Sequence, residues 1–211
     1  REAFLIAYQS RRYAKRYTTL VERVRAAEEA RIGVGSSRLA LAVARYFFKL
    51  MAYKDEYEVA RLYTSGEFRR RLEQQFDGDY KVHFHLAPPL LAKKNAKGEL
   101  IKREYGPWVF TAFRLLARLR GLRGTMLDVF GYTAERKSER QLIAQYQATI
   151  DGLLDRLDGE NVGLAAEIAS IPEQIRGYGH VKEAHLHKAR AREAQLLAQW
   201  SARNRPVAAA A

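Results

Sequence analysis

The sequence predicts a mainly α protein: a multi-helix domain with a small antiparallel β-hairpin or sheet inserted around residues 79–105. Three observations predict it. Apolar residues recur at spacings of three and four through most of the 211 residues, which places them on one face of a helix. One segment, KVHFHL at 81–86, instead alternates strictly, as a strand with one buried face does. Hydrophobic residues make up 47% of the chain, enough to build a core.

Residues 1–31 read as one long helix, with Ala14, Tyr17, Val21 and Val24 on a single stripe. GVGSS at 33–37 ends it. Gly33 and Gly35 suit a helix C-terminus, and Ser36 or Ser37 suits the cap of the next helix. From Arg38 to about Tyr53 the chain is apolar nearly all round, the pattern of a buried central helix. KDEYEVARLY (54–63) and SGEFRRRLEQQF (65–76) are two further helices, the second with Ser65 as cap. In the strand, Val82, Phe84 and Leu86 face one way and Lys81, His83 and His85 the other. Asn95–Gly98 reads as a turn and Glu99–Tyr105 as the second strand. Phe110, Phe113, Leu116 and Leu119 then share a stripe that GLRGT (121–125) closes. Thr133 caps a long helix to about Leu157, a shorter helix stops near Pro172, and a last one runs from about Gly179 to Trp200.

The chain has no cysteine, which excludes disulfides, a thiol nucleophile and cysteine-held iron–sulfur or zinc sites within it. No apolar run approaches the roughly 18–20 residues of a membrane span, and no signal peptide is read. A cytoplasmic protein without membrane contact is expected. P-loop, GxGxxG, HExxH and nucleophile-elbow motifs are missing. The net charge of +13 favours acidic partners: nucleic acid, an acidic protein or anionic lipid. Nucleic acid is the remotest, because no reader motif or interleaved exposed aromatics accompany the charge.

The surplus is concentrated. Lys93, Lys94, Lys97, Lys102, Arg103, Arg114, Arg118, Arg120 and Arg123 face only Glu99 and Glu104 over the same stretch, which is +7 of the total. This is the candidate docking surface; a solvated face is the plain alternative. A second candidate is the turn Arg176, Gly177, Tyr178, Gly179, His180 and Lys182, whose glycines can shape an anion pocket or merely join two helices. His180, Glu183 and His187 follow one helical stripe. Seven residues separate the histidines by roughly 10 Å along the axis, too far for one ion, so at most Glu183 and His187 could share a metal. His83 and His85 share a strand face and are expected to hydrogen-bond to a covering helix rather than hold a metal. No catalytic, cofactor or metal-binding residue is assigned.

Long phrases of the chain carry a family resemblance: ARYFFKLMAYKDEYEVARLYT (44–64), FHLAPPLLA (84–92), GPW (106–108), FRLLARLRGLRGTMLDVFGYTAERKSERQLIAQY (113–146) and EQIRGYGHVKEAHL (173–186). Over about residues 36–200 they resemble the C-terminal domain of the bacterial fused indolepyruvate:ferredoxin oxidoreductases. The resemblance implies a parent that decarboxylates aryl 2-oxo acids oxidatively with thiamine diphosphate and magnesium. It implies electrons passed through iron–sulfur clusters to ferredoxin, acyl-CoA as product and a homo-oligomeric assembly. None of the parent's cofactor motifs falls on this sequence. The implied organisation is a leading helix from the preceding domain (1–35), a single helical accessory domain with the β insertion (36–204), and a disordered tail or cloning remnant (205–211). A start at Arg1 rather than Met fits a piece of something longer. Partners implied are the parent's other domains, with ferredoxin or CoA as candidates for the basic surface.

Overall fold

A computed structural model describes residues 1–87 and 101–203 of the chain. It is mainly α, with nine α-helices and one two-stranded antiparallel sheet among the described residues. By its contacts the chain forms two compact units. One compact unit comprises Arg1–Tyr53 together with the chain from Ala134 onward; the other is Lys54–Thr133.

In the first unit, the expected single helix over 1–31 is two. α1 spans Glu2–Tyr8 and α2 spans Arg11–Ile32. Ser10 separates them: its side chain accepts a hydrogen bond from the Tyr13 amide at 3.1 Å and so starts a new helix. The α2 stripe buries Ala14, Tyr17, Leu20 and Val24. Gly33, at φ 127°, and Gly35, at φ 95°, then take backbone angles that L side chains rarely adopt.

The central helix is α3, Arg38–Met51, which buries Leu39, Ala40, Val43, Tyr46, Phe47, Leu50 and Met51. Each of the larger apolar side chains contributes about 1.5–3 kcal/mol by leaving water. Neither Ser36 nor Ser37 caps α3 with its side chain, as the sequence suggests one would. Glu28, wholly buried in α2, does so from a distance. Its carboxylate accepts from the amides of Leu39 (3.1 Å) and Ala40 (2.8 Å) and from the Ser36 hydroxyl (3.0 Å). Negative charge at the N-terminus of a helix also suits its dipole.

Three tyrosines bind the other side of α3. Tyr8, Tyr13 and Tyr17 donate to the carbonyls of Tyr53 (2.8 Å), Met51 (2.9 Å) and Ala44 (2.9 Å). The Tyr13 bond satisfies a carbonyl that the end of α3 leaves open, and the Tyr8 bond one just beyond the helix. The long α7 (Ala134–Leu154) stacks Tyr146 on Phe47 at 5.8 Å and donates its hydroxyl to the Ala169 carbonyl at the end of α8 (Val162–Ala169). Burial pushes the Tyr146 hydroxyl pKa well up. A 3₁₀ turn at Ile171–Gln174 leads toward α9, Gly179–Arg203, which buries Ala189, Leu196 and Trp200 in the same core.

The second unit contains α4 (Glu56–Thr64), α5 (Gly66–Gln75), β1 (Phe84–Leu86), β2 (Arg103–Tyr105) and α6 (Val109–Arg118). The strands pair Phe84 with Tyr105, His85 with Glu104 and Leu86 with Arg103. The expected turn at Asn95–Gly98 lies outside the described residues. Ala60, Phe84, Val109 and Phe113 form a small core, and Tyr63 meets Phe68, Phe84 and Phe113 at ring distances of 4.9, 5.2 and 5.7 Å. The stripe read over Phe110–Leu119 holds for Phe110, Phe113 and Leu116. Leu119 is exposed instead: α6 ends at Arg118, and at about 3.6 residues per turn position 119 lies about half a turn round the helix from Phe110.

Removing the Glu28 carboxylate leaves two buried amides and a hydroxyl without their acceptor. Glu28→Ala is expected to lower stability by about 2–4 kcal/mol, read as a lower urea midpoint with unchanged slope. A loss below about 0.5 kcal/mol would show that α3 does not need this cap.

Candidate functional site

The most organised polar cluster is in the second unit, where the chain from Leu122 to Thr133 folds as a tight loop. Asp55 is the N-cap of α4 and accepts from the Glu58 amide at 2.8 Å. The same carboxylate receives Arg123 in a bidentate pair, Nε to Oδ2 at 2.5 Å and Nη2 to Oδ1 at 2.8 Å. Both side chains are 2% exposed. A fork of guanidinium on carboxylate is the geometry that tolerates such burial. Arg123 also lies over the Tyr57 ring, 5.4 Å from its centroid.

Asp128 holds the other end of the loop. Its carboxylate accepts from the amides of Gly124 (2.7 Å), Phe130 (3.2 Å) and Gly131 (3.0 Å) and from the Tyr57 hydroxyl (3.1 Å). Burial and the neighbouring Asp128 charge raise the Tyr57 pKa far above its ordinary value, so it stays a donor. Phe130 packs edge-on against Tyr57 at 5.4 Å. A Cβ at Gly131 would lie 2.5 Å from an Asp128 oxygen, so only glycine admits this close approach. Farther along, Tyr132 donates to the Met126 carbonyl at 2.7 Å. With its polar groups turned inward, the loop exposes Met126, Leu127, Val129 and Tyr132.

The predicted docking residues divide. Lys93, Lys94 and Lys97 lie outside the described residues. Lys102, Arg103, Arg114 and Arg118 are exposed. Arg120 is half-buried and donates to the Ala117 carbonyl at 3.2 Å. Arg123 is no docking residue: its guanidinium is committed to Asp55 and hidden from solvent. Asp55, Tyr57 and Asp128 escaped the sequence reading. Asp55 had a signal in the D-x-x-E spacing to Glu58, a capping-box pattern. Asp128 had only its glycine neighbours.

The turn before α9 also separates. Gly177 (φ 88°) and Gly179 (φ 55°) shape it, and Arg176 and Tyr178 are exposed. Lys182 pairs with Glu139, whose other oxygen takes Arg136 at 2.8 Å. His185, not singled out from the sequence, places Nδ1 2.8 Å from the Arg176 carbonyl. His180 belongs to α9, while Glu183 and His187 are exposed on it. Among the described residues no group of three His, Cys, Asp or Glu could hold a metal. His83 meets Glu104 of the neighbouring strand at 2.5 Å rather than a covering helix.

In the first unit, Leu50, Tyr146, Pro172, Leu186 and Glu193 line a cleft of about 30 Å³. That is the scale of a single water, far below the several hundred Å³ of a cofactor site. Burial raises the Glu193 pKa, against the opposing charge of Arg190 and a hydrogen bond with Thr149. Among the described residues no helix is long and apolar enough to cross a membrane.

Residues 1–195 match the family of unknown function DUF6537, and the chain belongs to that family. No curated protein and no solved structure matches it.

Two outcomes follow for these groups. Arg123→Ala strands Asp55 in the interior and is expected to cost about 3–5 kcal/mol, whereas the double variant Arg123→Met/Asp55→Leu should recover most of that loss in chemical denaturation. For Glu193 the raised pKa means that the folded state holds the proton more tightly than the unfolded one. Its contribution is therefore present below the ordinary value of 4.5 and is lost as pH rises through the higher folded value. Glu193→Gln should raise Tm at pH 7, and the gain should vanish on approach to pH 4. An equal gain at both pH values would contradict this assignment.

Proposed function

We propose that this chain is a non-catalytic docking domain of an enzyme like the indolepyruvate:ferredoxin oxidoreductases, working in the cytoplasm. In this reading, thiamine diphosphate, magnesium and iron–sulfur clusters belong to other domains of that enzyme. The chain holds those domains in their assembly or controls access to their active site.

One observation carries the reading. The buried charged groups of the second unit close on backbone and on each other, while the loop they stiffen turns apolar side chains outward. That arrangement suits a surface that meets another surface. The resemblance adds support, because two of its phrases contain Asp55, Tyr57, Arg123, Asp128 and Gly131. A narrower reading, favoured by the exposure of Arg114 and Arg118, makes the basic face a dock for acidic ferredoxin or for CoA phosphates.

Deletion of this segment from the full-length enzyme tests the proposal. Disrupted oligomeric assembly or impaired ferredoxin reduction is expected. Normal assembly with normal acyl-CoA formation would end the docking reading. For the narrower one, Arg114→Glu/Arg118→Glu should raise KM for ferredoxin or CoA about tenfold or more at low salt, with the difference shrinking as salt rises.

A further inference from the structure

The Thr125–Tyr132 turn inverts the usual layout of a surface loop. Its one acid, Asp128, is buried, and apart from Phe130 its apolar side chains are outside: Met126 is 89% exposed and Leu127 70%. Loop tips are ordinarily small and polar. This one is also rigid, since Asp128 alone ties three of its amides or those of its flanks. A preformed apolar turn loses little freedom when another surface covers it.

The chain immediately before the turn supplies charge. On α6, Arg114, Leu115 and Arg118 are exposed, on the helix face opposite Val109 and Phe113. From Arg103 to Thr133 the exposed cations, Arg103, Arg114 and Arg118, are all arginines. Met, Tyr and Arg are enriched at protein interfaces and Lys is depleted, so this composition favours a polypeptide over a lipid headgroup layer. The same arginines argue against a second copy, which would bring like charges together.

We propose that the Thr125–Tyr132 turn seats in an apolar groove rimmed by carboxylates on another polypeptide, with Arg114 and Arg118 engaging the rim. This inference deepens the docking reading above and rests on it.

The test uses the full-length protein that carries this chain. The photo-crosslinking residue p-benzoylphenylalanine replaces Leu127, and products formed in cells are mapped by mass spectrometry. The expected product joins Leu127's position to a segment in which apolar residues are flanked by Asp and Glu. Its yield should fall about tenfold in Arg114→Glu/Arg118→Glu, with an unchanged melting curve. If that variant melts lower than its parent, Arg114→Gln/Arg118→Gln should give a smaller loss in the same direction. Crosslinks to phospholipid, to a second copy of the turn or to a segment without acids would overturn the proposal. So would the lack of any product, or a yield insensitive to both arginine variants. If domain deletion breaks assembly while the crosslink fails, docking stands and the turn is not its contact.

Discussion

The first unit depends on a carboxylate placed where no solvent reaches. Glu28 belongs to α2 but completes α3, by accepting the amides that α3 cannot satisfy itself. The bond fixes the start of the most apolar helix relative to its neighbour. Tyr8 and Tyr13 fix its far end through carbonyls. Between these points the packing of Val43, Phe47 and Leu50 is nondirectional and would tolerate sliding. Direction comes from the polar bonds at the ends.

The second unit uses the same device for a different result. Asp55 and Asp128 are buried acids whose partners are mostly backbone amides and one guanidinium. There they shape a loop rather than a helix start. The cost of desolvating each charge is offset because every group that approaches is a donor with suitable geometry. The consequence is a loop with an apolar exterior, which carries the functional reading offered above.

Much of the fold was legible in the sequence because periodicity reports burial directly. The α3 run, the alternation around Phe84 and the α6 stripe through Leu116 all reappear as buried faces. Breaks were harder to read. Ser10 is one cap signal inside a continuous helical pattern, and Leu119 lies just past the end of α6, about half a turn round from Phe110. The candidate site was least legible. Charge counting treats all arginines alike, and it put Arg123 on the surface with Arg114. What distinguishes them is Asp55, 68 positions away in the chain. A pairing over that distance leaves no local pattern to find.

The first unit is discontinuous in the chain, and this orders its synthesis. α1, α2 and α3 leave the ribosome first among its elements, yet the ring that stacks on Phe47 from α7 and the covering helices α8 and α9 come only after all of Lys54–Thr133. The second unit is continuous and can close as it emerges. Through that interval α3 has α1 and α2 of its own unit for cover, and the face that Tyr146 and the later helices take up still waits for them. A nascent chain stalled before Ala134 would thus be sticky at α3 while the later, inserted unit was already folded.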